Sequence, residues 1–136
     1  MKNKIKWIPL EKLPSIAQQR NVLVAILDGN AIQSWAAYWS AIAAAFSFPP
    51  LPSYMQPDYH SYYDLMTDLH WIPEEQIVLI IRNAACFLQK DPQTKAMLIE
   101  DFERYLLPFW ESEVEQTVVD GKKRSFQVWL VEESNG

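Results

Sequence analysis

The chain has 136 residues, 49% of them hydrophobic and 21% charged, which is the composition of one globular domain and not of a disordered segment. A chain of this length buries enough surface to fold without disulfide bonds or a bound metal. Its one cysteine, Cys86, excludes a disulfide framework and a multi-cysteine zinc site, and it fits a reduced, cytoplasmic setting. No stretch reaches the roughly 18 consecutive apolar residues of a membrane span, so we expect no membrane partner.

The net charge of −5 is unevenly distributed along the chain. Between Arg20 and Arg82 there is no lysine or arginine. An acidic surface repels nucleic acid and attracts basic proteins, although it also serves solubility alone. We therefore expect no nucleic-acid partner, and a basic protein if the surface binds anything. The acidic residues of this stretch are Asp28, Asp58, Asp64, Asp68, Glu74 and Glu75.

The first elements are an extension and a buried strand. Residues 1–20 are predicted to form an N-terminal extension, with a short edge strand at 4–8, ahead of a single domain over 21–136. Residues 22–27 form a continuous apolar run, which indicates a strand covered on both faces. A helix is predicted next over 31–46, with Asn30 as N-cap. Its apolar residues are spaced alternately three and four apart and are Ile32, Trp35, Trp39, Ile42 and Phe46.

The second half of the chain adds two helices and two strands. A helix is predicted from about Asp58 to about Leu69, and a buried strand over 76–81. Asp91 and Pro92 are typical of a helix start, and Pro108 is predicted to kink or end this third helix. A last strand is predicted over 125–131. The apolar period of the third helix is carried by Leu98, Phe102, Tyr105 and Phe109.

This element order predicts the fold class. Strands joined by long helical crossovers are parallel neighbours, because parallel strands cannot be connected by tight turns. We therefore expect an α/β domain with a three-stranded parallel sheet and packed helices, in the order β-α-α-β-α-β.

The second predicted helix has an unusual polar face. At about 100° per residue, Tyr62, Leu65, Met66 and Leu69 fall on one core stripe. The opposite face collects an aromatic ring and two carboxylates, a combination that suits binding to a basic protein, although exposed aromatics also occur on plain surfaces. The members of this polar face are His60, Tyr63, Asp64, Thr67 and Asp68.

The same helix does not predict an enzyme or a metal site. His60 and Ser61 point about 100° apart on a helix, and no glycine-rich elbow accompanies them, so a nucleophilic triad with Asp64 is disfavoured. His60 and Asp64 are only two potential metal ligands, and two ligands do not make a site. We expect no catalytic activity, no metal and no cofactor.

Residues 51–71 resemble the signature of the barstar family, small intracellular inhibitors of barnase-type bacterial ribonucleases. The turn at Asp28 and Gly29 and the later Phe48-Pro49 pair resemble the same family, and the resemblance covers roughly residues 22–131. It implies a parallel three-stranded sheet with packed helices, which the residue patterns predict independently.

The resemblance also implies roles for individual residues. Tyr54 matches the first aromatic residue of the family's inhibitory loop, and His60 matches a position that is Asp or His. Tyr63 stands where an aromatic residue is expected, and Asp64 matches the acid that enters the ribonuclease active site. The implied mechanism is mimicry, in which the Asp64 carboxylate takes the place of a substrate phosphate while Tyr54 and Tyr63 cover the mouth of the site.

Three positions depart from the family pattern: Gln56 replaces a glycine, Asp58 an asparagine, and Ser61 an alanine. A residue other than glycine is penalised wherever a loop needs a positive φ, so we expect the loop shape to differ, and the partner with it. The expected partner-binding residues are Tyr54, Asp58, Tyr59, His60, Tyr63, Asp64, Thr67 and Asp68.

Two functions follow. The first is a barstar-like inhibitor, or immunity protein, that is a monomer when unbound and binds a basic, secreted ribonuclease or nuclease toxin through residues 54–68. The alternative is a module on the same fold that no longer inhibits a nuclease and binds another basic protein.

Overall fold

The computed structural model describes residues 3–13 and 21–133. Residues 1–2 and 14–20 of the predicted extension lie outside the described residues, as do residues 134–136. Within the described ranges, one parallel sheet has the strand order β1-β4-β3-β2. Its strands are β1 (Ile5–Pro9), β2 (Val22–Asp28), β3 (Gln76–Arg82) and β4 (Ser125–Glu132).

The three predicted parallel strands are confirmed as β2, β3 and β4, but the expected three-stranded sheet is wrong because β1 adds a fourth strand. β1 pairs in parallel with β4 from Ile5 opposite Val128 to Pro9 opposite Glu132. Of its apolar residues, Ile5 and Ile8 pack on opposite faces of the sheet, while Trp7 is exposed. The short edge strand predicted at 4–8 is confirmed as β1, which lies at the edge of the sheet; the prediction of the fold class does not count it in the sheet.

The side chain of Asn3 anchors β1. It is buried, and its amide nitrogen donates to the carbonyls of Leu107 (3.1 Å) and Arg124 (3.0 Å). Its Oδ1 accepts from the backbone N–H of Phe126 at 3.0 Å, and its own backbone N–H donates to Glu111 Oε1 at 2.6 Å. These hydrogen bonds thus connect Asn3 to the start of β4 and to the helical segment that contains Leu107 and Glu111.

Replacing Asn3 by alanine is expected to lower the free energy of unfolding by about 1–3 kcal/mol, because the buried N–H of Phe126 and a buried carbonyl lose their partners. The control variant is Lys4→Ala, which removes an exposed side chain at the neighbouring position. Urea denaturation of both variants, with amide exchange over residues 5–8, measures the effect. Equal stability of the two variants would show that Asn3 is not an anchor.

Along the chain, the helices lie between consecutive strands of the sheet. Helix α1 is Trp35–Ala45, and its N-cap is Ser34, whose Oγ accepts from Ala37 N at 3.1 Å. The prediction of Asn30 as N-cap is therefore wrong, because residues 29–31 form a separate turn in which Asp28 accepts from the N–H of Asn30. Helix α2 is Tyr59–Met66, shorter than predicted because Leu69 has a positive φ of 49°.

The third helix continues through Pro108. Helix α3 is Pro92–Asp101, capped by Asp91 as predicted, and it runs through π turns at Phe102–Leu106 and Phe109–Glu113 into α4 (Val114–Thr117). Pro108 has no backbone N–H, so one hydrogen bond of the helix is missing there. The π turns on either side of Pro108 change the helical rotation, and the helix continues past it.

The π turns also change which residues face the core. Leu98, Phe102 and Phe109 are buried as predicted, but Tyr105 is 51% exposed and Leu106 is buried in its place. The prediction for Tyr105 is wrong because it assumed an uninterrupted 3.6-residue period.

Apolar side chains pack on both faces of the sheet, but the prediction that residues 22–27 form a strand covered on both faces is wrong, because β2 lies at the edge and Ile26 is 58% exposed. The larger core lies under the helices and includes Leu27, Leu79 and Phe126. A smaller cluster on the other face contains Ile80 and Trp129. This arrangement presents α2 on the helical side of the sheet, with its outer face toward solvent.

Candidate functional site

Helix α2 begins at a strong N-cap. Asp58 accepts a hydrogen bond from the backbone N–H of Ser61 at 3.0 Å. This bond is the main reason that the pKa of Asp58 lies below its usual range. Aspartate is among the preferred N-cap residues, so Asp58 suits the position at which the structure places it. Its carboxylate is exposed, but it is already engaged in holding the start of the helix.

The loop before α2 accommodates Gln56 without strain. Gln56 is not among the described residues that have a positive φ, so this loop needs no glycine at that position. A turn closes with the N–H of Met55 donating to Pro52 O at 2.9 Å, and Trp35 Nε1 donates to Pro57 O at 2.8 Å. Tyr54 stands out from this loop with 84% of its surface exposed.

The predicted phase of α2 is confirmed. Its core stripe is buried, and His60, Asp64 and Asp68 are exposed on the opposite side. Tyr63 is only partly exposed, because its ring lies against that of Tyr59 with centroids 6.3 Å apart. Thr67 is also partly exposed, and its hydroxyl donates to the carbonyl of Tyr63 at 2.8 Å. The buried members are Tyr62, Leu65, Met66 and Leu69.

The three carboxylates of this region are in different states. Asp58 caps the helix, and Asp68 Oδ1 lies 2.9 Å from Nδ1 of His70. Within residues 3–13 and 21–133, no side chain or backbone group donates to the carboxylate of Asp64. Of the three, Asp64 is therefore the carboxylate with no donor on either oxygen among the described residues, whereas Asp58 and Asp68 each use Oδ1 within the chain.

An aromatic depression adjoins Asp64. It is lined by Tyr59, His60 and Tyr63 of α2 and by Tyr105 of the third helix. The sequence does not predict Tyr105 as a surface residue, because its exposure depends on the π turn at Phe102–Leu106 that contains it. We call Asp64 with these four residues the α2 face. It combines flat, rigid rings with negative charge, which suits contact with the cations of a partner protein.

Buried hydrogen bonds hold the core-facing side of α2 against the neighbouring helices. The hydroxyls of Tyr62 and Tyr38 are 2.7 Å apart, and both side chains are fully buried. Trp110 Nε1 donates to the carbonyl of Met66 at 2.9 Å. These bonds tie α2 to α1 and to the third helix, so the α2 face rests on a rigid support.

A third buried bond joins α2 to Asp101 of α3. The hydroxyl of Tyr59 donates to Oδ1 of Asp101, whose side chain is almost completely buried. Burial raises the pKa of Asp101 above its usual range, and the Tyr59 bond opposes this only in part. Burial also raises the pKa of Tyr59 and of Tyr63, and the nearby Asp101 charge adds to both shifts. These tyrosines therefore stay neutral at physiological pH.

The raised pKa of Asp101 predicts a pH dependence of stability. The folded state binds the Asp101 proton more tightly than the unfolded chain does, so the protonated side chain stabilises the folded state at acid pH. That contribution is lost as the pH rises through the folded-state pKa of Asp101. Asp101→Asn does not titrate. We therefore expect the stability of Asp101→Asn relative to wild type to increase between about pH 4 and about pH 7, measured by urea denaturation. A constant difference would contradict the raised pKa.

Among the described residues, no three histidine, cysteine, aspartate or glutamate side chains come together as a metal site. No helix in the described part of the chain is long and apolar enough to cross a membrane.

Comparison with protein families gives one result that covers most of the chain. Residues 22–129 match the family described as Barstar (barnase inhibitor). Neither the curated proteins nor the solved structures gave a match. The matched region runs from β2 into β4 and contains the whole α2 face, while β1 precedes it. The chain therefore belongs to the barstar family.

Proposed function

We propose that this protein binds a basic ribonuclease of the barnase type and blocks its active site with the α2 face. The observation that carries the proposal is the state of Asp64, an exposed carboxylate beside partly exposed tyrosines in the region that matches the barnase-inhibitor family. Asp58 and Asp68 each accept hydrogen bonds within the chain through Oδ1, whereas neither oxygen of Asp64 has a donor among the described residues.

The proposed mechanism is replacement of substrate by a side chain. A ribonuclease active site holds the anionic phosphate of RNA with cationic groups. The carboxylate of Asp64 occupies that position and accepts hydrogen bonds from those groups. Because a carboxylate on a helix contains no bond for the enzyme to cleave, the site is filled and no reaction occurs.

The tyrosines contribute the second part of the mechanism. Tyr63, the residue before Asp64, and Tyr105 line the aromatic depression with partly apolar rings, and Tyr54 extends from the loop on the N-terminal side of α2. In the complex these rings exclude water from the ion pairs at Asp64. Charge–charge attraction is stronger where water is excluded, so aromatic cover and the central carboxylate act together.

The acidic surface also predicts how fast the complex forms. Long-range attraction between opposite charges is screened beyond about 8 Å at physiological ionic strength, so the association rate should fall as salt is added. Glu74→Gln removes a charge away from the α2 face and should lower mainly the association rate. Stopped-flow binding to purified barnase across a salt series measures this. An association rate independent of salt would contradict electrostatic steering.

Competition with a small anion tests the proposed binding mode. A nucleoside monophosphate occupies the phosphate position of the nuclease, so it should weaken binding of this protein to barnase in proportion to its own occupancy. Calorimetric titration with and without the nucleotide provides the measurement. Binding that is unaffected by a saturating nucleotide would place the contact outside the active site, as the alternative function of a non-inhibitory module requires.

The biological setting is part of the proposal. An inhibitor of a secreted ribonuclease protects the producing cell only if it meets the enzyme before export, so we place this protein in the cytoplasm as an immunity protein. We propose that it is a monomer when unbound and that it forms a one-to-one complex.

A further inference from the structure

The burial of Asp101 is unusual for a carboxylate. Only 2% of its surface is exposed, and its Oδ2 atom is buried without a hydrogen-bond partner among the described residues. Its Oδ1 accepts one hydrogen bond, from the hydroxyl of Tyr59. Burying a charged or polar group with so few partners costs free energy, and an apolar residue at this position avoids that cost. The packing of the core therefore does not explain why a carboxylate is present.

The hydrogen bond of Asp101 leads directly to the α2 face. Tyr59 lies one helical turn before Tyr63, and the two rings are 6.3 Å apart at an interplanar angle of 31°. The ring of Tyr59 also lies 6.3 Å from that of buried Tyr62. Fixing the hydroxyl of Tyr59 removes the rotation of its side chain, and the fixed ring forms the wall against which Tyr63 packs.

We propose that Asp101 is the positioning residue of the α2 face, because its carboxylate holds Tyr59 and the ring of Tyr59 holds Tyr63 at the surface. Asp101 lies in α3, outside the residues 54–68 that the sequence indicates for partner binding. The role in binding rests on the proposed function, whereas the positioning of the two rings is a property of the unbound protein.

Three variants separate hydrogen bonding from packing. Asp101→Asn keeps an oxygen that accepts from Tyr59, Asp101→Leu removes the acceptor and fills the space, and Tyr59→Phe removes the donor and keeps the ring. If the bond positions the rings, Asp101→Leu and Tyr59→Phe should have the same effect on Tyr63, and the double variant should add little to either. Asp101→Asn should resemble wild type.

Fluorine NMR of protein labelled with 3-fluorotyrosine reports the ring of Tyr63 in the unbound state. Tyr63→Phe identifies its resonance. We expect Asp101→Leu and Tyr59→Phe to shift or broaden the Tyr63 signal, and Asp101→Asn to leave it unchanged. An unchanged Tyr63 signal in both Asp101→Leu and Tyr59→Phe would overturn the proposal, as would an equal change in Asp101→Asn. If Asp101→Leu does not fold, Tyr59→Phe decides the matter alone.

Binding to purified barnase extends the test to function. Asp101→Leu should raise the dissociation rate about tenfold, and Asp101→Asn should change it by less than about twofold, because only the first releases the rings. Equal dissociation rates for Asp101→Leu and wild type would overturn the role in binding. Failure of the wild-type protein to bind barnase would contradict the proposed function, while the NMR result would still decide whether Asp101 positions Tyr63.

Discussion

Replacing Asp64 by alanine is expected to weaken binding to the ribonuclease by more than about 2 kcal/mol, or about 30-fold in Kd. This is the general threshold for an interface hot spot, and the barnase–barstar pair is itself one of the systems behind it. The loss has two sources: the carboxylate no longer accepts hydrogen bonds, and the cations of the nuclease remain buried without a counter-charge. Calorimetric titration of barnase with the variant gives the value.

A matched control separates this local effect from loss of charge. Glu132→Ala removes one exposed carboxylate at the end of β4, so it changes the net charge as Asp64→Ala does. We expect Glu132→Ala to bind nearly as tightly as wild type. Neither variant should change the melting temperature much, because both side chains are exposed. Unchanged affinity for both Asp64→Ala and Tyr63→Ala, in folded protein, would show that binding does not use this helix.

Replacing Tyr62 by alanine is expected to lower the free energy of unfolding by about 3–5 kcal/mol, the range for removing a buried aromatic ring. Tyr62 is fully buried, and its ring centroid lies 5.7 Å from that of Trp35 and 5.6 Å from that of Tyr38. Alanine leaves a cavity between α1 and α2. Urea denaturation followed by circular dichroism measures the loss.

Tyr62→Phe is the control for this cavity. It keeps the ring and removes the hydroxyl, so Tyr38 loses its buried partner at 2.7 Å and the cost falls to about 1–3 kcal/mol. Tyr62 and Asp64 are two residues apart on one helix, yet the first should act on stability and the second on binding. An unchanged free energy of unfolding for Tyr62→Ala would show that Tyr62 does not pack between α1 and α2.

The elements that could be predicted from sequence are those with a strong local pattern. Strands β2 and β3 contain continuous apolar runs, and β4 is apolar over 126–131 except for Gln127. Asp91-Pro92 specifies the start of α3 through capping and a fixed φ. The start of α1 was misplaced because Asn30 and Ser34 are both good caps, and only the turn at residues 29–31 selects between them. The edge strand at 4–8 was predicted, but its pairing with β4 was not, because no local pattern specifies the partner of a strand that is distant in sequence.

In the candidate site, too, local patterns could be predicted from the sequence, whereas contacts between distant residues could not. The spacing of residues on α2 was enough to predict that Tyr62 is buried and that Asp64 is exposed. Asp101 and Tyr105 could not be predicted, because each reaches the α2 face through contacts between helices that are distant in sequence. The π turn at residues 102–106 also changes the phase of the third helix, and a helical period applied to the sequence assigns Tyr105 to the core.

Inhibition of RNA cleavage tests the central claim most directly. The purified wild-type protein is titrated into barnase, and the rate of RNA hydrolysis is measured at each molar ratio. If the α2 face fills the active site, the rate falls in proportion to added protein and reaches its minimum at a one-to-one ratio, while Asp64→Ala at the same concentrations leaves most of the activity. Full ribonuclease activity in a molar excess of folded wild-type protein would contradict the claim that this chain inhibits a barnase-type ribonuclease.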